Sequence, residues 1–587
     1  MSLPIQTVIH ALTVGTGARV LRLLFVLTMI IGVGGFYDIL AFRNFNNREA
    51  MDMAQLGKNL AEGKGYTTLC LRPFSMFLVE RYRPDHSPEI KTRHPDITNP
   101  PVYPVILAAL FKVLPAKYFT VPSKGFSIAK PDLAVALLNQ MLLLLAALLI
   151  FLLGEKLFDA PTAWVTAIVF VGSDIFWRFS VSGLNTMLLI VISLALVWCL
   201  VWLEQWTRHG RTDAVLVTLA GTAGLLVGLG ALTRYAFGWL IIPVLAYLII
   251  YFGRRRAMLG LAAVAAFLVV MTPWMAWTYS KCGAPLGTAT FAVCQGTGAF
   301  PEDRLERSLS PTIHSVSVGD LKTKLFKNSR ELIQHDLPRL GGSWVTAFFL
   351  VGLLVPFRAP ALTRLRGLLL LSLLVFAVVQ VMGRTSLSDE TPDINSDNLL
   401  VLLTPLVFLF GTAMFLQLLG YIAAPQGSVR LAYVSGFCLI ASLPLVQAFL
   451  PPRQGPIAYP PYYPPLFQRI ASWYGEQELI MSDIPWALAW YGRRQTVWMT
   501  LNWKKDFVQI ADYQKPVKAI YLTAVTTDTK FLTSWVKGQN QSWTSFMLES
   551  MLQREVPTGF PLRRAPEGWF PEQILLTDFD RWKLKAE

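Results

Sequence analysis

Roughly eleven separate apolar runs, each near the ~20 residues that a helix needs to cross a hydrocarbon layer, constrain this chain more than any other feature. They lie at about 20–41, 132–154, 161–176, 182–204, 214–232, 236–252, 257–278, 342–357, 364–383, 397–418 and 430–450. The run at 161–176 is short. PVYPVILAALFKVLPA (101–116) is also short and flanked by prolines, so it reads as an interfacial or re-entrant helix. Only 15% of residues are charged against 53% hydrophobic, where a soluble domain carries about a quarter charged. The first run shows no clear small-residue cleavage site, which favours a retained span over a secretory signal.

A net charge of +15 could suggest nucleic acid. The basic residues, however, gather in short loops between apolar runs, so the charge is a topology signal and no nucleic-acid partner is expected. Arg254, Arg255 and Arg256, together with the Arg358–Arg366 cluster, belong on the cytoplasmic side. That choice puts the N-terminus in the cytoplasm, and loops 43–131 and 279–341 and the tail 451–587 outside. The expected fold is an all-α polytopic membrane protein with a transmembrane module over 1–450. A small α/β extracytoplasmic domain follows over 451–587. The tail enters through PPRQGPIAYPPYYPPLF. ELIMSD, TVWMT, KAIYLT and ILLTD then read as strands, and 485–491 and 529–537 as helices. It reads as a lid or packing module. Cys282 and Cys294 share one outer loop, where a disulfide is possible, while Cys199 and Cys438 sit inside apolar runs as packing residues.

Chemistry concentrates in 44–104. FNNREAMDMAQLGKNLAEGKGYTT carries an apolar stripe at Ala50, Met53, Gly57, Leu60 and Ala61, which is helical spacing. Glu49 and Asp52 lie three apart and so point the same way, with Asn59 two turns on. Gly63 and Gly65 stop the helix. Two acids on a short amphipathic helix at a membrane surface suit proton transfer, so Asp52 and Glu49 are the candidate bases; a solvated face is the plainer reading. Arg234, at the outer end of a run, could hold a phosphate or simply anchor at the headgroups. Arg93 and His94 open RHPDITNPPVYP, where Pro95 holds the His94 backbone extended. With Asn59 and Tyr103 they complete the candidate substrate-binding set. Arg72, Arg81, Arg83, Lys322, Lys324 and Lys327 are secondary. No metal-ligand spacing appears, and SLSDETPDINSDN (386–398) reads as a hydrated acidic loop.

In order along the chain, REAMDMAQLGKNLAEGKGY, HPDITNPPVYP, LGEKLF, ALTRY (231–235) and SDIPWALAWYGRRQTVW resemble the C-fold superfamily of integral-membrane glycosyltransferases. Bacterial relatives of protein O-mannosyltransferases and the aminoarabinose lipid A transferases are the branch most alike. The resemblance implies a polyprenyl-phosphate sugar as donor and a glycolipid, envelope glycan or protein as acceptor. It also implies inverting transfer at the periplasmic face of a bacterial inner membrane, with no cofactor and no metal. Members begin the acid helix with an Asp-Glu pair; here Arg48 takes the Asp position and Glu49 the Glu position. Either Glu49 or Asp52 has the acid's job, or the chain is a membrane scaffold that has lost it. A transporter would place ionisable residues within spans and show paired repeats, and neither pattern is present.

Overall fold

The computed structural model describes residues 16–83, 87, 89–120, 128–338, 340, 344–355, 359–385, 394–421, 427–450, 462–527, 543, 545–546, 549–550, 556–569 and 573–583. Residues 451–461 of the Pro-rich entry to the tail, Arg358, the expected helix at 529–537 and the acidic stretch 386–393 lie outside them.

Among the described residues, 7 helices are long and apolar enough to cross a membrane: Lys130–Leu157, Thr186–Arg208, Asp213–Ala231, Gly253–Cys282, Pro360–Gly383, Leu400–Tyr421 and Gly427–Phe449. An eighth crossing is the pair Ala160–Gly172 and Asp174–Val181, bent by 53°. At the bend the Trp177 indole donates to the Val171 carbonyl at 2.7 Å, answering a backbone group that the break would leave bare. The expected count of eleven is therefore not met by length. Of the other three runs, the first lies in the 26-residue helix Thr16–Ala41, while Tyr235–Tyr251 and Trp344–Gly352 are helical but shorter. Tyr235–Leu240 is a 3-10 turn ahead of the α-helix Ile241–Tyr251. Trp344–Gly352 gives way to a turn before Pro356, whose ring disfavours helix in the residue preceding it.

Tyr235–Tyr251 connects two opposite ends of the bundle. On one face Glu204 accepts from Arg208 at 2.6 Å, from Arg364 at 3.2 Å and from the Tyr247 hydroxyl at 2.9 Å. Arg255 pairs with Asp213 there at 2.8 Å. On the opposite face Asn185 donates to the Thr233 carbonyl at 2.7 Å, and Val102 N–H to Leu232 at 3.0 Å.

Lipid-facing helices cannot gain from excluding water between them, so close approach has to come from small residues. Asp213–Ala231 meets Arg256–Cys282 through buried Ala220, Ala223, Gly224 and Val227. A Cβ at Gly224 would overlap the Ala263 carbonyl oxygen. Gly224→Leu is expected to force these helices apart and destabilise the protein by about 1–3 kcal/mol. A clear drop in the thermal midpoint of the detergent-solubilised protein would register it; an unchanged midpoint would contradict the tight crossing.

Above the bundle, a five-stranded sheet runs Cys70–Leu71, Gln495–Trp498, Leu479–Ser482, Val517–Leu522, Ile574–Thr577. All neighbours are parallel except the last pair. The four strands expected in the tail are present, and every residue of Leu479–Ser482 and Gln495–Trp498 is buried, as in a sheet covered on both faces. The edge strand comes from the segment that follows the acid helix, with Cys70 opposite Thr496 and Leu71 opposite Val497. One hydrophobic core accordingly joins Met51, Tyr103 and Leu107 to Phe467, Leu488 and Tyr521.

Candidate active site

The acid helix spans Arg48–Ala61. Asn47 caps it, its side-chain oxygen accepting from Glu49 N–H at 3.0 Å. Its apolar side packs on Val102–Val113 so closely that a Cβ at Gly57 would sit 2.8 Å from Leu107. The 101–116 run is thus a helix lying against the acid helix. Beyond the C-cap at Glu62, Gly63 and Gly65 take left-handed φ of 72° and 75° and turn the chain away.

Glu49 and Asp52 enter neighbouring but separate polar nests. Asp52 is fully buried. Its carboxylate accepts from Arg72 Nη2 at 2.7 Å, Asn99 Nδ2 at 2.9 Å and Gln55 Nε2 at 3.3 Å. Arg72 also reaches Glu306 at 3.4 Å. Asp96 stands just behind: its carboxylate caps the Thr98 and Asn99 N–H groups at 2.9 and 2.8 Å. Burial, with the neighbouring Asp52 charge, pushes the Asp96 carboxyl up to about 6. With three donors already on it, Asp52 has the surroundings of a structural ion-pair member.

Glu49 is placed differently. Its Oε2 is buried and has no hydrogen-bond partner, while the Ser396 hydroxyl bonds to the carboxylate. Burial raises its pKa above the ordinary value; the Arg234 guanidinium opposes that rise and Asp397 adds to it. Arg234, its side chain 18% exposed, lies 3.7 Å from Asp397. A desolvated carboxylate with a spare lone pair beside a cation is an arrangement able to take up a proton and steady an anion together. Lys324 flanks Asp397; its ammonium donates to the carbonyls of Val293 and Gln295, and burial draws its pKa down to about 8.

The structure brings Glu49, Asp52 and Arg234 to one end of the bundle and sets the other candidates apart. Asn59 holds the turn after the helix, donating to the Thr67 carbonyl at 2.6 Å and accepting from Arg493 at 3.0 Å. Tyr103 is buried with its hydroxyl on the Gly183 carbonyl at 3.0 Å. His94 is buried with neither ring nitrogen hydrogen-bonded, and burial lowers its pKa to about 4. Arg93 is exposed. Arg48, at the position where an Asp was expected, is 3.3 Å from Asp303 and lies over the Trp486 and Trp498 rings at 5.8 and 5.6 Å. Among the described residues no three His, Cys, Asp or Glu side chains converge as a metal ion would need. Cys282 and Cys294 are free thiols, and Cys282 Sγ donates to the Thr278 carbonyl. Sequence reasoning passed over Ser396 and Asp397, hidden in what read as a hydrated loop, and over Glu306. Only the position of 397 immediately before a span pointed to it.

This bundle, with an acid helix packed against an α/β layer, has the fold of the solved structures named below, and the protein is a multi-pass membrane protein of that fold. Residues 123–277 match the family model of dolichyl-phosphate-mannose-protein mannosyltransferase. ArnT from Cupriavidus metallidurans in the apo state superposes with a TM-score of 0.54 at 12% identity, over 96% of this chain and 99% of that one. The same protein bound to undecaprenyl phosphate gives 0.54 at 11% identity, again over 96% and 99%. The archaeal oligosaccharyltransferase AglB from Archaeoglobus fulgidus, in complex with an inhibitory peptide and a dolichol-phosphate, gives 0.51 at 11% identity over 93% and 77%. Comparison with curated proteins gives no match.

Proposed function

We propose that this protein is a membrane glycosyltransferase that moves a sugar from a polyprenyl-phosphate donor to an acceptor hydroxyl. The observation that carries the reading is the unpartnered, buried Glu49 oxygen next to Arg234. In the proposed step the acceptor O–H loses its proton to Glu49, and its oxygen attacks the anomeric carbon from the face opposite the phosphate. The carbon–oxygen bond to phosphate breaks with its electron pair staying on the phosphate, and Arg234 steadies that growing charge. Single displacement of this kind inverts the anomeric centre. Asp397 keeps Arg234 in place before the donor arrives. A solved structure of the same fold holds undecaprenyl phosphate, which supports a donor of that chemistry. The acceptor we assign is a glycolipid, an envelope glycan or a protein.

The arginine-rich face bearing Arg208, Arg255 and Arg364 would lie in the cytoplasm by the positive-inside rule. The N-terminus would lie there too, and the acid helix and tail in the periplasm of a bacterial inner membrane. Binding of undecaprenyl phosphate to the purified protein in nanodiscs tests the site. Arg234→Gln is expected to weaken it by roughly tenfold or more, because a charge-assisted contact is removed. Wild-type affinity in that variant would exclude Arg234 as the phosphate holder. A second reading, a membrane scaffold without activity, draws on Arg48, whose guanidinium is built into the tail's aromatic core where the expected acid would stand.

A further inference from the structure

We propose that Asp132 is a positioning residue for Glu49, and that through it the tail is a working part of the site. Asp132 lies in the first turn of Lys130–Leu157 and is fully buried. Its carboxylate gathers three donors from two separate parts of the chain. Phe45 N–H reaches Oδ2 at 3.1 Å from the segment leading into the acid helix. The Tyr491 hydroxyl reaches the same oxygen at 2.6 Å, and the Trp490 indole reaches Oδ1 at 2.9 Å, both from the tail.

Phe45 stands two residues before the helix cap Asn47, and four before Glu49. The same entry segment is held by Asn44, whose side-chain oxygen accepts from Ala129 N–H at 2.8 Å. Asn44 takes a left-handed φ of 65°, a conformation that Asn tolerates better than most residues. The Phe45 ring is sandwiched between Trp490, with centroids 6.3 Å apart, and Gly183, where an added Cβ would clash with it. A buried carboxylate with three donors is a directional joint, and loss of one donor lets the joint shift rather than merely weaken. The end of the helix bearing Glu49 is therefore located by the bundle and the tail jointly. The catalytic consequence rests on the proposed role of Glu49; the placement itself does not.

The test keeps these apart by reading position without substrate. In the full-length protein with its native cysteines replaced, Glu49→Cys and Ser396→Cys form one reporter pair, linked by a short bis-methanethiosulfonate reagent. Asn185→Cys with Thr233→Cys forms a control pair within the bundle. Tyr491→Phe and Asp132→Ala are expected to slow linking of the first pair by roughly tenfold, since a displacement of about 1 Å is enough to spoil such geometry, and to leave the control pair unchanged. Asp132→Asn, which keeps an acceptor oxygen, is expected to recover most of the rate lost in Asp132→Ala. An unchanged rate for the 49–396 pair in both variants, or equal slowing of both pairs, overturns the positioning role. If the 49–396 pair responds but Arg234→Gln still binds undecaprenyl phosphate normally, positioning stands and the functional reading falls.

Discussion

Glu49→Gln is expected to remove sugar transfer, lowering turnover by about 10²–10⁴-fold, the usual worth of a positioned general base. Glutamine keeps the shape and the Ser396 contact but cannot accept the acceptor's proton. Because only the ionised carboxylate can act, turnover should fall as pH drops through a Glu49 pKa that burial has raised above the ordinary glutamate value. The measurement is release of polyprenyl phosphate from a sugar-loaded donor, together with the thermal midpoint of the same preparation. A folded Glu49→Gln protein with full turnover would remove Glu49 as the base and leave the scaffold reading in possession.

Arg72→Met is expected to be the most damaging single change to stability, at about 3–5 kcal/mol. It takes the cation away from Asp52 and Glu306 and leaves Asp52 beside Asp96 in a dry site. The double variant Arg72→Met with Asp52→Asn should regain much of that loss, because the uncompensated charge goes with the carboxylate. The sign of the pH dependence follows from Asp96. Its pKa in the folded protein, about 6, lies above the ordinary 3.8, so the folded state binds the proton more tightly than the unfolded one. Its contribution is complete below about 3.8 and fades as pH rises through about 6. Arg72 opposes the rise of the Asp96 pKa, so in Arg72→Met stability should climb more steeply on acidification than in the wild type. A flat profile, or a variant as stable as wild type at neutral pH, would mean that Asp52 is not the buried charge described here.

Much of this was legible because apolar length and helical spacing are local properties. The acid helix, its glycine stop and the tail strands at 479–482, 495–498, 517–522 and 574–577 each declare themselves within a few residues. The span count was not, since Tyr235–Leu240 tightens into a 3-10 turn and Trp344–Gly352 ends early for reasons of packing and proline placement. The roles of Glu49 and Asp52 could not be ranked from spacing either. Three residues apart on one helix, they differ only in what the rest of the chain brings to them. Arg72 and Asn99 come from the same loop and Arg234 and Asp397 from distant span ends. Asp132 gave no signal at all, being one acid at the mouth of an apolar run.

The strand Cys70–Leu71 pairs with residues made more than two-thirds of a chain length later. During synthesis the segment bearing Cys70–Leu71 must therefore wait, its edge backbone groups unpaired, until the tail has been made. Contacts this remote in sequence form slowly, and an unpaired edge invites wrong neighbours meanwhile. A chain cut short before Gln495 would keep Glu49 and Arg234 and still leave Cys70–Leu71 without its partner strand.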